Sequence, residues 1–343
     1  MPAPPPTFNS MKLVIHPPVE ADRLIKIQAA AATMQVVNAA SEAEAIAAMP
    51  DADAFFGKIT PPMLAKASKL VWVQAPTVSL EHYIFPELVA HPCTLTNMRG
   101  LFGDVIADQV MGYTICFARN LHTYIRQQVE AKWEPVGGEA SRVNNTMGPA
   151  LVSEIDRRHT QLAGATMGIV GFGSIGSEIA KRAIAFGMRV IAVDPLIKPV
   201  PPGIAAIWRI GKLYDLLEES DFVVLATPHT PETEKSIGYY EFKHMKRSAY
   251  FMNIGRGATV VLDDLVKALN DKRLAGAALD VFEKEPLPAE HPLWKMPNVI
   301  ITPHVAGYSP KIAERHLALL CDNIARFVTG GELRNQVSKE MWF

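Results

Sequence analysis

The sequence predicts an α/β protein made of two doubly wound parallel-sheet domains. Two observations carry this reading. Short β-branched or apolar runs alternate with helical patterns from Met11 onward, and a second series of the same kind begins at Thr166. A chain of 343 residues, 49% hydrophobic and 20% charged, is also long enough to bury two such cores.

The first series runs KLVIHP, EADRLIKIQAA, MQVVNA, SEAEAIAAM, ADAFFG, TPPMLAKA and LVWVQA, followed by a helix near Glu81 and then CTLTN. Alternation of strand and helix supplies the crossover that parallel strands require. The stretch from about Asp104 to Arg119 is apolar on nearly every face (Val105, Ile106, Val110, Met111, Ile115, Cys116, Phe117), as expected of a helix buried between domains or subunits. Glu134 to Gln161 is polar and longer than an ordinary connection, and reads as a surface arm or lid. The second series runs TMGIVGFG, RVIAVD, FVVLATP, AYFMNIG, LAGAALD and NVIITPH. A last helical pattern, Pro310 to Thr329, exceeds what that series needs, so it is expected to return to the first domain. The expected division is a disordered proline-rich tail at 1–10, a first domain of 11–119 with 308–343, and a second of 120–307 inserted into it.

Composition excludes several functions. Lys and Arg number 34 against 35 Asp and Glu, a net charge of -1, which offers no broad positive surface for a nucleic acid backbone. The three cysteines, Cys93, Cys116 and Cys321, are scattered and show no CxxC pairing, so neither a disulfide framework nor a zinc site is indicated, and no metal is assigned. No apolar run reaches the roughly 18 residues of a membrane span, and the first ten residues lack the pattern of a signal peptide. A cytoplasmic protein is expected.

The strongest local motif is Gly171-Phe172-Gly173-Ser174-Ile175-Gly176, placed between the strand TMGIV and a helical pattern. Gly171 permits a tight turn, Gly173 lets the backbone approach a pyrophosphate, and Gly176 allows close helix–strand packing, while amides at the helix start face the anion. About 20 residues on, at the end of the next strand, Asp194 can accept both adenosine ribose hydroxyls. Its carboxylate would repel a 2′-phosphate, and no arginine follows it, which favours NAD.

Four blocks, GIVGFGSIG (Gly168 to Gly176), NIGRGATVV (Asn253 to Val261), ALDVFEKEPLP (Ala278 to Pro288) and NVIITPHVAGYS (Asn298 to Ser309), resemble in order and spacing the D-isomer-specific 2-hydroxyacid dehydrogenases. The resemblance implies a Rossmann cofactor domain inserted into a flavodoxin-like substrate domain, and a homodimer formed around the junction helix. It also implies Arg256 as the substrate-binding arginine, Glu285 and His304 as an acid–base pair, and Asp280 near the nicotinamide carboxamide. On this reading the NAD set comprises Gly171, Gly173, Ser174, Ile175, Gly176, Asp194, Thr227, Pro228, Ile254, Asp280 and Gly307. The substrate set is Thr77, Val78, Ser79 and Arg256.

Chemistry asks for the same residue types. Reducing a 2-oxo acid places negative charge on the carbonyl oxygen as hydride arrives, so a proton donor and a fixed cation must stand beside it. Histidine and arginine fit these roles, and a glutamate on the imidazole would set its tautomer. Taken singly each residue has a plainer reading: His304 as a turn residue, Arg256 in a solvated loop, Glu285 in a charged run with Glu283 and Lys284. Within four matching blocks the catalytic reading is preferred. In the first domain the likeness is weaker. Ala75-Pro76-Thr77-Val78-Ser79 stands where the family usually has a glycine-containing turn, and Ala107-Asp108-Gln109 where Ala-Glu-His is common. Asn97, Arg99 and Lys58 read as polar loop residues. Two alternatives share the scaffold: a formate dehydrogenase, against which Glu285 argues because that enzyme usually pairs its histidine with glutamine, and an NAD-sensing corepressor that recruits protein partners.

Overall fold

The computed structural model describes residues 11–143, 151–196 and 199–343. The expected tail at 1–10 and the middle of the 134–161 arm lie outside them. Contacts divide the chain into two compact units: one running up to Leu101 and resuming at Ser309–Phe343, the other Phe102–Tyr308.

In the first unit, strands β1 (Lys12–His16), β2 (Gln35–Asn38), β3 (Ala54–Gly57), β4 (Trp72–Gln74) and β5 (Thr94–Thr96) form one sheet, parallel throughout, in the order β2-β1-β3-β4-β5. That is the flavodoxin-like order. Helices α1 (Ala21–Ala31), α2 (Glu42–Ala48), α3 (Pro61–Leu64) and α4 (Pro86–Ala90) connect the strands. The helix expected near Glu81 does not form; a turn occupies those residues and α4 begins at Pro86. Phe85 explains the shift, because the residue before a proline is driven from the helical region, and here it is extended (φ -147°, ψ 158°).

The second unit starts with α5 (Gly103–Ala118), α6 (Leu121–Val129) and α7 (Glu154–Arg157). Its strands are β6 (Thr166–Val170), β7 (Arg189–Val193), β8 (Ala206–Trp208), β9 (Phe222–Leu225), β10 (Tyr250–Asn253), β11 (Gly276–Leu279) and β12 (Val299–Ile301). They form a parallel sheet in the order β12-β11-β10-β9-β6-β7-β8, the Rossmann arrangement in which strand order reverses at β6. The second series lacked β8, a three-residue edge strand preceded by prolines at 199, 201 and 202. Helices α8 (Ser174–Ala185), α9 (Leu213–Glu219), α10 (Tyr239–His244) and α11 (Leu262–Asn270) flank the sheet.

Sheet strands buried on both faces explain the unbroken apolar runs FVVL and YFMN: alternate residues enter two separate cores. Val223, Leu225 and Phe251 join one, Phe222, Val224 and Met252 the other. The helix α5, which the sequence places with the first domain, packs within the second unit, where Ile106, Val110, Met111 and Phe117 share a core with Ile179, Ala180 and Ala183 of α8. The last helix, α12 (Ile312–Thr329), packs on α1 in the first unit. Beyond it, Asn97 receives a hydrogen bond from Asn335 and the 335–337 segment runs along β5.

Candidate active site

At the end of β6 the chain turns through Gly171 in the left-handed region (φ +94°), where a Cβ would also stand 2.9 Å from the Ala226 carbonyl oxygen. At Gly176 a Cβ would lie 2.3 Å from the Gly171 carbonyl oxygen, so only glycine lets α8 approach the turn. Gly173 differs: a Cβ there meets no heavy atom within 4 Å, so the space over the start of α8 is open. Helical bonding begins with Ser177 N–H donating to Gly173 O, leaving the amides of Ser174, Ile175 and Gly176 at the open helix start. Thr227 Oγ1 is buried and has no protein partner in this region. Open space, free helix amides and an unpartnered hydroxyl fit the phosphates and ribose of a dinucleotide.

Asp194 is 5% exposed and does more than terminate β7. Its Oδ2 accepts the Phe172 N–H at 2.8 Å, and its Oδ1 accepts the Leu196 N–H at 2.9 Å. The carboxylate thereby braces the middle of the glycine turn.

Three adjacent strands, β10, β11 and β12, deliver Arg256, Asp280 and His304 to one carboxyl edge of the sheet, where ligands of such folds collect. Arg256 is half-buried and donates from Nη1 to the Gly255 carbonyl at 3.0 Å. The next residue, Gly257, is pressed so tightly on the chain that a Cβ would stand 1.8 Å from the Phe282 carbonyl carbon. That contact ties the arginine turn to the segment leading to Glu285.

Glu285 folds back on its own loop. Its Oε1 accepts the Phe282 N–H at 2.9 Å, and its Oε2 lies 2.7 Å from Nδ1 of His304. His304 adopts φ +53°, a conformation costly for a residue with a Cβ and therefore one that its surroundings must impose. Asp280, 2% exposed, does so. Its carbonyl accepts the His304 N–H at 2.8 Å, and its carboxylate accepts Thr302 Oγ1 at 2.5 Å and the N–H groups of Val305 and Ala306 at 2.9 and 3.0 Å. Thr302 is bonded in turn to Tyr113 of α5. Sequence reasoning singled out neither. The signal was a phenol hydroxyl among the buried positions of a largely apolar helix, one turn from Gln109.

In the first unit, Thr77-Val78-Ser79 follows β4 as a loop whose carbonyls are taken up. The Pro76 carbonyl accepts His316 Nε2 at 3.0 Å, that of Thr77 the Met98 N–H, that of Val78 Asn97 Nδ2 at 2.8 Å, and that of Ser79 its neighbour Thr77 Oγ1 at 2.7 Å. The N–H groups of Val78 and Ser79 bond to no described residue. Asn97, read as a polar loop residue, is thus a buried brace at 2% exposure, and His316 braces the loop from α12. Lys58 lies over the Tyr83 ring, 5.8 Å from its centroid.

Comparison with known proteins agrees with this geometry. Residues 111–306 match the NAD-binding domain of the D-isomer specific 2-hydroxyacid dehydrogenases. A glyoxylate reductase of Korarchaeum cryptofilum is 33% identical over 295 residues, 85% of this chain and 84% of that one. A D-isomer specific 2-hydroxyacid dehydrogenase family protein from Aeromonas salmonicida superposes with a TM-score of 0.72 at 29% identity, covering 96% of this chain and 99% of its own. One from Xanthobacter autotrophicus, crystallised with NADPH and MES, gives a TM-score of 0.76 at 25% identity, covering 96% and 98%. Glycine turn, sheet orders and likeness over most of the length lead to one conclusion: the chain belongs to the D-isomer-specific 2-hydroxyacid dehydrogenases, oxidoreductases with an NAD-binding Rossmann domain that act on the CH–OH group of their donors.

Proposed function

We propose that this protein reduces a small, unphosphorylated 2-oxo acid with NADH, and oxidises the corresponding D-2-hydroxy acid in reverse. The observation that carries the proposal is the 2.7 Å contact between Glu285 Oε2 and His304 Nδ1. It leaves Nε2 to give a proton to the carbonyl oxygen during reduction and to take it back during oxidation. Glu285 fixes the tautomer of the ring and holds its orientation. Arg256 meets the carboxylate and stabilises charge on the oxygen that receives the proton. The bound nicotinamide supplies or accepts hydride at C2. In the first unit, the Val78 and Ser79 N–H groups, which bond to no described residue, are assigned with Thr77 to a carboxylate, the loop carbonyls being already hydrogen-bonded.

The glycine turn, with Ser174, Ile175, Thr227, Pro228, Ile254 and Gly307, is assigned to the cofactor, and Asp194 to its ribose hydroxyls, hence NAD over NADP. Asp280 is assigned first to the His304 loop and through it to the nicotinamide end. We also infer a homodimer in the cytoplasm. Just beyond the junction helix, Ile125, Val129, Trp133, Leu151 and Val152 are exposed apolar groups of the second unit, Trp133 at 87% and Val129 at 86%, which a partner copy would cover. Glu285 weighs against formate dehydrogenase, and turnover in the screen below separates an enzyme from a corepressor that only binds NAD.

The test is a screen of glyoxylate, hydroxypyruvate, pyruvate, branched 2-oxo acids and phosphohydroxypyruvate with NADH and with NADPH, followed by absorbance. Turnover of at least one unphosphorylated acid, faster with NADH, is expected. No turnover of any acid, a phosphorylated substrate with the highest kcat/KM, or equal efficiency with both cofactors would overturn the corresponding part.

A further inference from the structure

From the course of the hydrogen bonds in the second unit, we infer that Tyr113 on α5 is a positioning residue for His304, acting through Thr302 and Asp280; this rests on the acid–base reading of His304 above. The side chains form a directional chain. Thr302 has one hydroxyl proton, and it goes to Asp280 Oδ1 at 2.5 Å. The Thr302 oxygen must then accept from Tyr113, which lies within hydrogen-bond distance. Gln109 lies one helical turn before Tyr113, on the same side of α5 as the phenol. Each donor is used once and the chain ends on a carboxylate, the arrangement in which successive bonds reinforce one another.

Burial pushes the Tyr113 phenol above its ordinary range, so the group stays protonated, and a donor, at neutral pH. The residue is 3% exposed, on a helix whose other large buried side chains are apolar (Ile106, Val110, Met111, Phe117) and whose buried Thr114 hydroxyl is spent on the Val110 carbonyl of its own helix. An apolar side chain would satisfy packing there, and a hydroxyl is required only if Thr302 needs a partner. The far end of the chain shows why it does. Asp280 uses its remaining capacity to hold the Val305 and Ala306 N–H groups, the two that directly follow the left-handed His304. With the Tyr113 bond made, the Thr302 side chain has one rotamer available, Asp280 is pinned from below, and the imidazole is held where Glu285 can meet it. Without it, Thr302 can rotate and the strained loop has one restraint fewer.

The experiment compares the full-length parent with Tyr113→Phe, Thr302→Val and Thr302→Ser, using glyoxylate and NADH as probes. Tyr113→Phe is expected to lower kcat about three- to tenfold, with the NADH Kd and the melting temperature little changed. Thr302→Val should lower kcat further, Thr302→Ser should restore it, and adding Tyr113→Phe to Thr302→Val should cost nothing more because both cut one chain. If Tyr113→Phe turns over like the parent, or its only effect is on the melting temperature, the inference is wrong. Should His304→Ala also turn over like the parent, the acid–base reading has failed instead, which separates the two outcomes.

Discussion

His304 Nδ1 and Glu285 Oε2 lie 2.7 Å apart although 19 residues separate them, and the contact exists because Glu285 spends its other oxygen on the Phe282 N–H. One carboxylate thus folds its own loop and orients the ring. His304→Ala should lower kcat for 2-oxo acid reduction by about two to four orders of magnitude while NADH still binds. Glu285→Gln should lower kcat less than His304→Ala does, because the ring loses the carboxylate that fixes its tautomer and orientation. Stopped-flow turnover with fluorescence titration of NADH checks both.

Arg256→Lys keeps the charge but loses the planar fork that matches a carboxylate. The expected result is a rise in KM together with a fall in kcat, since the same group binds the acid and stabilises the transition state. A change in KM alone would remove Arg256 from the chemistry.

Asp194→Ala removes an acceptor that, in the protein itself, bonds the N–H groups of Phe172 and Leu196. The buried Phe172 N–H loses this bond at about 1 to 3 kcal/mol, and the more exposed Leu196 N–H loses its own at less because water can replace it. The preference for NADH over NADPH should narrow and the melting temperature should fall as well, both measurable on one preparation. An unchanged melting temperature would show that the carboxylate serves the ribose alone.

His316 is held neutral in the fold. Its Nε2 donates to the Pro76 carbonyl, its Nδ1 faces Arg23, and burial lowers its pKa below the ordinary 6.5. The unfolded chain takes up this proton before the folded one does as pH falls. The contribution is therefore whole above about pH 6.5 and is lost as pH drops toward the folded value. The melting temperature should be lower at pH 5 than at pH 7.5, and His316→Gln should flatten that difference. His91 and His122, also lowered by burial, retain their share. An unaltered slope in the variant would exclude His316 as a contributor.

Several features were legible in the sequence because they are recorded locally. Parallel strands buried on both faces must be apolar at successive positions, and FVVL and YFMN say so without reference to any other residue. The turn at Gly171 needs a positive φ, and Gly176 a missing Cβ; both requirements are met by residue type within six positions of chain. Arg256, Glu285 and His304 could be picked out because their flanking blocks keep a fixed order.

Tertiary structure decided what depends on neighbours distant in the chain. Phe85 and Pro86 displaced the helix expected at Glu81, and β8 became a strand by pairing with the edge of β7. Asp194 turned out to brace the glycine turn from 22 residues away. Asn97 and His316, ordinary polar residues by position, hold the Val78 and Pro76 carbonyls from the next strand and from the last helix. Tyr113 and Thr302 meet across 189 residues of sequence. Hydrophobic period and turn chemistry are properties of a short window, whereas a side-chain hydrogen bond is chosen by the packing that brings its two ends together, and only the folded chain contains that choice.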